Sequence, residues 1–169
     1  MSPFTPSIKR EPEKVKFVAD SMLGKLAKWL RILGYDTLYQ SFYRSGVIVH
    51  LLKEDRCLLS RQEETANQYK NTVLIHADRV GPQLDELRNE INLVPERSNW
   101  FSRCLICNTL LKDAHPDEAH NNVPEHVFFN NMSGIRSCPS CGRYYWPGSH
   151  RTRMEKQLEE WGFICAAKK

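Results

Sequence analysis

Residues 17–36, FVADSMLGKLAKWLRILGYD, run from the end of an apolar stretch through a single acid into a helical pattern. The stretch begins with VKFVA at 15–19, which predicts a buried strand. Over residues 22–33 the leucines recur at helical spacing, and Gly34 is a residue type that commonly ends a helix. Asp20 therefore stands at the carboxyl end of a predicted strand, ahead of a helix whose charged residues are all basic.

The same alternation of strand and helix continues to about residue 93, and residues 92–101 lose the helical period and are predicted to be a linker. Further strands are predicted at 36–40, 56–60 and 72–76, and further helices at 47–54, 62–69 and 81–93. Alternating strands and helices are typical of an α/β fold with a mostly parallel sheet flanked by helices. The strand RCLLS at 56–60 is apolar enough to be buried on both faces, and Cys57 in it is interpreted as a small buried hydrophobe.

Composition limits the class of protein. The chain has 169 residues, of which 41% are hydrophobic and 26% charged, with a net charge of +4. This length suits one domain of about 100 residues with a small attached module. No apolar run reaches the roughly 20 residues of a membrane span, and no secretory signal is recognisable, so an intracellular, cytoplasmic protein is expected.

The sequence divides into four predicted regions. Residues 1–14 are predicted to be a disordered tail, 15–101 the α/β domain, 102–150 a second module, and 151–169 a helix and tail.

Two C-x-x-C pairs mark the second module. They are formed by four of the six cysteines: Cys104, Cys107, Cys138 and Cys141. Four thiolates in two such pairs predict a tetrahedral Zn²⁺ site, and because all four ligands are protein sulfurs the zinc would be structural. Redox-active or unligated thiols are the alternative, and His126 or His150 could replace a cysteine. Cys165, in the C-terminal tail, has no partner at ligand spacing.

An aromatic and basic segment, RYYWPGSHRTRM at 143–154, follows the second pair. Stacking faces next to cations favour contact with single-stranded nucleic acid. The alternative is that the aromatics pack the module and the arginines begin a solvated helix. The predicted RNA-contacting residues of this segment are Tyr144, Tyr145, Trp146, His150, Arg151 and Arg153.

Asp20 and the helix after it have two interpretations each. Ligands bind beyond the carboxyl ends of parallel strands, so Asp20 could hold a divalent metal; it could also cap the helix. Lys25, Lys28 and Arg31 recur every third residue and could meet RNA phosphates, or simply form a solvated face.

Four segments together resemble the Mut-seven C-terminal RNase domain family, a PIN-like domain with a C-terminal zinc ribbon. The resemblance extends from about residue 15 to 161 and is carried by FVADSMLGKLAKWLRILGYDT, RCLLSR, the C-x-x-C pairs and CGRYYWPGSHRTRM. It implies a PIN-like parallel sheet followed by a zinc-ribbon module. It also implies metal-dependent RNA cleavage, with strand-end acids holding Mg²⁺ or Mn²⁺ and RNA as the partner.

This sequence departs from the family pattern at the expected metal ligands. The third strand of the family ends in a Thr-Arg-Asp triplet, where this chain has Ser60, Arg61 and Gln62. The acid expected ahead of the middle helix is also missing from the residues around Ser45. Displaced acids could substitute, namely Asp78, Glu63 or Glu64 together with Asp20, although Glu63 and Glu64 also suit the first turn of a helix.

Two functional hypotheses follow. The first is an RNA-binding protein of a PIN-like ribonuclease family whose catalysis is weakened by the replaced acids. The second is an active divalent-metal ribonuclease that uses Asp20 with displaced acids. In both, the RNA is expected to be single-stranded, Arg61 is counted among its contacts, and a protein partner or larger assembly is compatible with the sequence.

Overall fold

A computed structural model describes residues 15–44 and 46–163. The predicted tail at 1–14, Ser45, and residues 164–169 with Cys165 lie outside the described residues. The chain divides into two compact units, Met1–Asn108 and Thr109–Lys169. None of the helices in the described ranges is long and apolar enough to traverse a bilayer.

The first unit is an α/β domain with a four-stranded sheet. The elements in chain order are β1 Lys16–Ala19, α1 Gly24–Ile32, β2 Thr37–Tyr39, α2 Val47–Leu52, β3 Arg56–Ser60, α3 Glu63–Gln68, β4 Thr72–Leu74 and α4 Val80–Ile91. A short 3₁₀ helix at Arg97–Asn99 follows α4. All strand pairs are parallel, and the strand order is β2-β1-β3-β4. The predicted fold class, a PIN-like parallel sheet flanked by helices, is confirmed.

The core lies between the two central strands and the leucines of α1 and α4. All five residues of β3 are buried, as its continuous apolar sequence predicts. Helix α1 turns its leucines toward the sheet, and the chain leaves the helix through Gly34 with φ +94°. The fully buried side chains include Phe17, Val18, Leu26, Leu30, Leu58, Leu59, Leu84 and Leu87.

The second unit contains a small antiparallel sheet of three strands that lie in chain order, with two short helices between the first strand and the second. Its apolar core is small and consists of Ala119, Val123, Val127 and Ile135. Sequence periodicity did not predict the two short helices, because each contributes few apolar positions. The elements are β5 Lys112–Asp113, α5 Pro116–Asn122, α6 Glu125–Asn130, β6 Arg136–Ser137, β7 Tyr144–Tyr145 and α7 Ser149–Glu160.

The unit boundary falls after Asn108, whereas the sequence predicts a module beginning at residue 102. Polar contacts within the first unit account for this position. Arg103 donates to the carbonyl of Gly34 at 3.0 Å, and Asn108 donates to the Asp36 carboxylate at 2.8 Å. The first C-x-x-C pair is therefore held by the α/β domain.

Candidate functional site

Asp20 joins the carboxyl ends of the two central strands. Strands β1 and β3 are parallel neighbours, so their ends meet at one edge of the sheet. One carboxylate oxygen of Asp20 accepts hydrogen bonds from the Ser60 hydroxyl at 2.8 Å and the Arg61 backbone N–H at 2.9 Å. The other oxygen accepts from the Met22 backbone N–H at 2.9 Å. With three donors on a side chain whose residue is 8% exposed, Asp20 holds the strand ends in register.

Asp20 does not cap the basic helix. The N-cap of α1 is Leu23, which makes no side-chain capping hydrogen bond. Asp20 lies ahead of the cap and bonds to Met22 in the connecting turn. The capping interpretation of Asp20 is therefore corrected: the residue orders the turn that leads into the helix.

Asp78 is exposed and paired with an arginine. Its carboxylate lies 2.6 Å from the Arg61 guanidinium, and the Asp78 side chain is 85% exposed. The loop that carries it is held by Glu86, which accepts from the backbone N–H groups of His76 and Ala77 at 2.8 Å each. The acid that the sequence suggested as a metal ligand, Asp78, is thus already paired with the positive charge of Arg61. Sequence reasoning missed Glu86, because its partners are backbone groups of a loop.

Glu63 and Glu64 occupy the first turn of α3 and are exposed. Acids are favourable there because the helix dipole is positive at its N-terminus. Gln62 is the N-cap residue, and its side-chain oxygen accepts from the Thr65 hydroxyl at 3.2 Å. This geometry matches the helix-terminus interpretation of the two glutamates.

The predicted acids do not form a common cation site. Within residues 15–44 and 46–163, the one group of three or more potential metal ligands that come close together is the cysteine group. Asp20, Asp78 and Glu63 are not brought into such a group. Since Mg²⁺ and Mn²⁺ need several oxygen ligands around one point, these three residues do not fit a shared divalent-metal site.

Tyr43 is a neighbour of Asp20 that sequence reasoning missed. Its hydroxyl donates to the carbonyl of Ala19 at 2.8 Å and accepts from the backbone N–H of Gln40 at 3.0 Å. Burial raises the pKa of Tyr43 to about 12, and the charge of Asp20 acts in the same direction. Tyr43 is therefore a neutral hydrogen-bonding group at neutral pH. It lies in a loop without periodicity, so no sequence pattern distinguishes it.

The three basic residues of α1 separate into two kinds. Lys25 and Lys28 are exposed, as expected for a phosphate-contacting surface. Arg31 is 4% exposed, and its guanidinium donates to the carbonyls of Thr37, Leu105 and Ile106. The prediction that Arg31 contacts RNA needs correction, because a guanidinium buried on three carbonyls is not available to a phosphate.

The four cysteines form a compact group whose sulfur atoms all lie within 4.8 Å of one another. Adjacent sulfurs of a tetrahedral zinc site with bonds of about 2.3 Å are about 3.8 Å apart, so the group can hold such an ion. Cys104 and Cys138 are buried, while Cys107 and Cys141 are half-buried. His126 and His150 are not part of the group.

Both C-x-x-C turns have the same backbone geometry. The N–H of Asn108 donates to the Cys104 carbonyl at 3.0 Å, and the N–H of Gly142 donates to the Cys138 carbonyl at 2.9 Å. Asn108 has φ +69° and Gly142 has φ +70°, values that glycine and asparagine tolerate best. The matched turns, together with the donor set of four sulfurs, fit a structural metal. Asn108 was overlooked because asparagine is a weaker indicator of positive φ than glycine.

The aromatic and basic segment of the second unit contains both packed and exposed residues. Tyr144 and Trp146 pack against the small core of that unit, as the packing alternative proposes. Arg151 pairs with Glu155 at 3.1 Å, one turn along α7. His150 and Arg153 are exposed at the start of the same helix.

Comparison with known proteins agrees with this architecture. The family model described as the Mut7-C RNAse domain matches residues 15–158. The chain belongs to the Mut7-C RNAse domain family. Membership in this family implies a PIN-like, ribonuclease-related role that involves RNA. The four-cysteine group is consistent with the zinc ribbon of a Mut7-C protein. No curated protein showed significant similarity to the chain.

Proposed function

We propose that this Mut7-C protein binds single-stranded RNA and that its hydrolytic activity is weak. The observation that carries the proposal is that the strand-end acids are engaged in contacts within the protein or replaced. Asp20 is held by three hydrogen-bond donors, Asp78 is paired with Arg61, and Gln62 stands where the family has an acid. A divalent-metal site lacking a gathered set of carboxylates would hold its ion poorly.

Exposed basic residues and a half-buried tyrosine support the RNA-binding part of the proposal. Lys25 and Lys28 extend from α1 of the first unit. In the second unit His150 and Arg153 are exposed, and Tyr145 is half-buried on β7. Cations beside aromatic faces are the usual composition of a single-strand binding surface.

Active metal-dependent cleavage is the second candidate function. The position of Asp20 favours it, because a buried acid at the carboxyl end of a central strand is where an α/β protein places its chemistry. Asp20 would then need Asp78, Glu63 or Glu64 to move closer when RNA binds.

The proposed metal of the cysteine group is zinc with a purely structural role. Four thiolates leave no open coordination position for a reactant. Reduced cysteines also suit an intracellular compartment, which we propose for this protein. A protein partner or larger assembly stays a prediction.

A cleavage assay separates the two candidates. Labelled single-stranded RNA is incubated with wild-type protein and with Asp20→Asn, each with Mn²⁺ or Mg²⁺, while binding is followed in parallel. We expect both proteins to bind RNA and neither to cleave it appreciably. Cleavage by wild type that is lost in Asp20→Asn would instead establish the ribonuclease, and absence of salt-dependent RNA binding would contradict the proposed function.

Gln62→Asp is expected to raise Mn²⁺-dependent cleavage by about ten-fold or more, because it restores a carboxylate at the family position, two residues after the Ser60 whose hydroxyl bonds to Asp20. Aspartate is a better N-cap than glutamine, so α3 should tolerate the change. The matched control is Gln62→Asn, which has the same size as aspartate without the charge and should not gain activity. Equal rates for both variants would show that Gln62 is not what limits the reaction.

A further inference from the structure

A cleft of about 440 Å³ lies between helix α1 and the first C-x-x-C turn, entirely within the first unit. Its polar rim is formed by Lys25 and Lys28, and its apolar wall by Leu105 and Ile106. Tyr39 also lines it. The volume falls within the range of about 300–1,000 Å³ typical of small-ligand sites.

The exposed charged side chains of the cleft are basic. Its described lining residues include Lys25, Lys28 and the buried Arg31 and no Asp or Glu, and the first turn of α1 is free of acidic residues. Lys25 and Lys28 are one helical turn apart on the same face, so their ammonium groups can approach the same anionic strand. An anion with an apolar portion is the ligand that matches this lining.

The tyrosine side of the cleft contacts the turn between β1 and α1. The Tyr39 hydroxyl donates to the carbonyl of Ser21 at 3.1 Å. Its ring lies so close to α1 that a Cβ on Gly24 would come within 2.7 Å of it, so a side chain at that position would require the Tyr39 ring to shift. Because Ser21 directly follows Asp20, Tyr39 connects the cleft to the strand-end acid.

Arg31 holds the opposite wall. From the buried side of α1 its guanidinium donates to the carbonyl of Leu105 at 2.8 Å and of Ile106 at 3.0 Å. The backbone of the wall is therefore fixed, while the Ile106 side chain stays 51% exposed toward the solvent. One helix supplies both the lysines of the rim and the arginine that supports the wall.

We propose that this cleft binds a nucleotide of single-stranded RNA, with Lys25 and Lys28 on the phosphates and the base against Tyr39 and Ile106. The inference rests on the proposed function and assigns it a location. A base can reach an apolar wall only when it is unstacked, which selects single strands over duplexes. Lysines tracking the backbone beside an aromatic face are the recurring arrangement for such binding.

The test measures the affinity of the full-length protein for fluorescent oligouridine by anisotropy at several salt concentrations. Lys25→Ala with Lys28→Ala is expected to weaken binding roughly ten-fold and to reduce the salt-dependence slope by about 1.4, the value for two lost phosphate contacts on a single strand. The matched control is Lys53→Ala with Lys70→Ala, which removes the same charge from exposed positions of the first unit outside the cleft. This control should retain wild-type affinity and slope.

A second variant tests the apolar wall without altering charge. Ile106→Ala is expected to weaken binding several-fold at an unchanged salt slope, because stacking or apolar contact with a base does not release counterions. Val94→Ala, which truncates a side chain of similar exposure at 53%, is its control. Neither substitution changes a backbone group, so Arg31 can still donate to the carbonyls of Leu105 and Ile106.

The outcomes distinguish the inference from the proposed function. If wild type binds oligouridine and the Lys25/Lys28 pair behaves like its control, RNA binding stands and the cleft assignment is overturned. If wild type binds no RNA, the proposed function fails and the cleft assignment with it. Tighter, lysine-dependent binding of a polyglutamate peptide than of oligouridine would assign the cleft to acidic proteins instead.

Discussion

Cys138→Ala is expected to abolish binding of the proposed zinc and to unfold the second unit. Cys138 is buried in the four-cysteine group, so the substitution removes one of four sulfur ligands. The apolar core of this unit comprises only a few small side chains, and its strands are two residues long. A core of that size stabilises little, whereas structural zinc contributes roughly 10–16 kcal/mol in small zinc domains.

The measurement combines metal content with near-ultraviolet circular dichroism. Wild type should carry one zinc per chain and show a tertiary signal from Tyr144 and Trp146, which pack on the core of the second unit. Both properties should be lost in Cys138→Ala, and a zinc chelator added to wild type should reproduce the effect. Retention of stoichiometric zinc and of the tertiary signal by the variant would contradict the structural role.

Cys57→Ala is the control for cysteine removal. Cys57 is buried in β3 of the first unit and does not belong to the metal-binding group. Its loss should cost about 1 kcal/mol of unfolding free energy, as expected for a small core truncation, and should leave the zinc content unchanged. A parallel loss of zinc in this variant would mean that the assay reports general unfolding.

The sheet could be predicted from sequence because its determinants are local. The strand RCLLS was predicted with its observed bounds, since five consecutive buried positions leave a continuous apolar run. Parallel strand order also brings the ends of β1 and β3 together, which is why Asp20 and the residues after β3 could be assigned to one edge.

Long-range polar contacts could not be predicted in the same way. Arg31 and Leu105 are separated by 74 positions, and Asp36 and Asn108 by 72, so no periodicity relates them. The spacing of Lys25, Lys28 and Arg31 suggested one continuous basic surface. The burial of Arg31 could not be predicted from this spacing, because it depends on backbone carbonyls that are distant in the sequence.

Asp36→Ala is expected to lower the free energy of unfolding by about 3 kcal/mol at neutral pH. Asp36 accepts a hydrogen bond from Arg56 at 2.7 Å and another from Asn108 at 2.8 Å. The Arg56 side chain is 8% exposed, and removing one partner from a buried pair costs about 3–5 kcal/mol. The low end applies because the Asp36 side chain is 22% exposed and Glu54 still contacts Arg56.

The effect of this substitution should depend on pH in a defined direction. Burial alone would raise the pKa of Asp36, but the hydrogen bonds from Arg56 and Asn108 outweigh it and lower that pKa below its ordinary value. A carboxyl group whose pKa is lower in the folded state stabilises the fold fully above its unfolded pKa of about 3.9. That contribution is lost as the pH falls through the folded pKa.

Urea unfolding of wild type and Asp36→Ala at matched pH values measures this contribution. The difference between the two proteins should stay constant from about pH 7 to 5 and shrink below about pH 4, and acid release of zinc is common to both. Asp85→Ala is the matched control, since it breaks the exposed pair with Arg88 and should cost about 0.5 kcal/mol or less. An equal loss of unfolding free energy for Asp36→Ala and Asp85→Ala at neutral pH would contradict this prediction. It would mean that the hydrogen bonds of Asp36 with Arg56 and Asn108 do not hold the first C-x-x-C turn against the sheet.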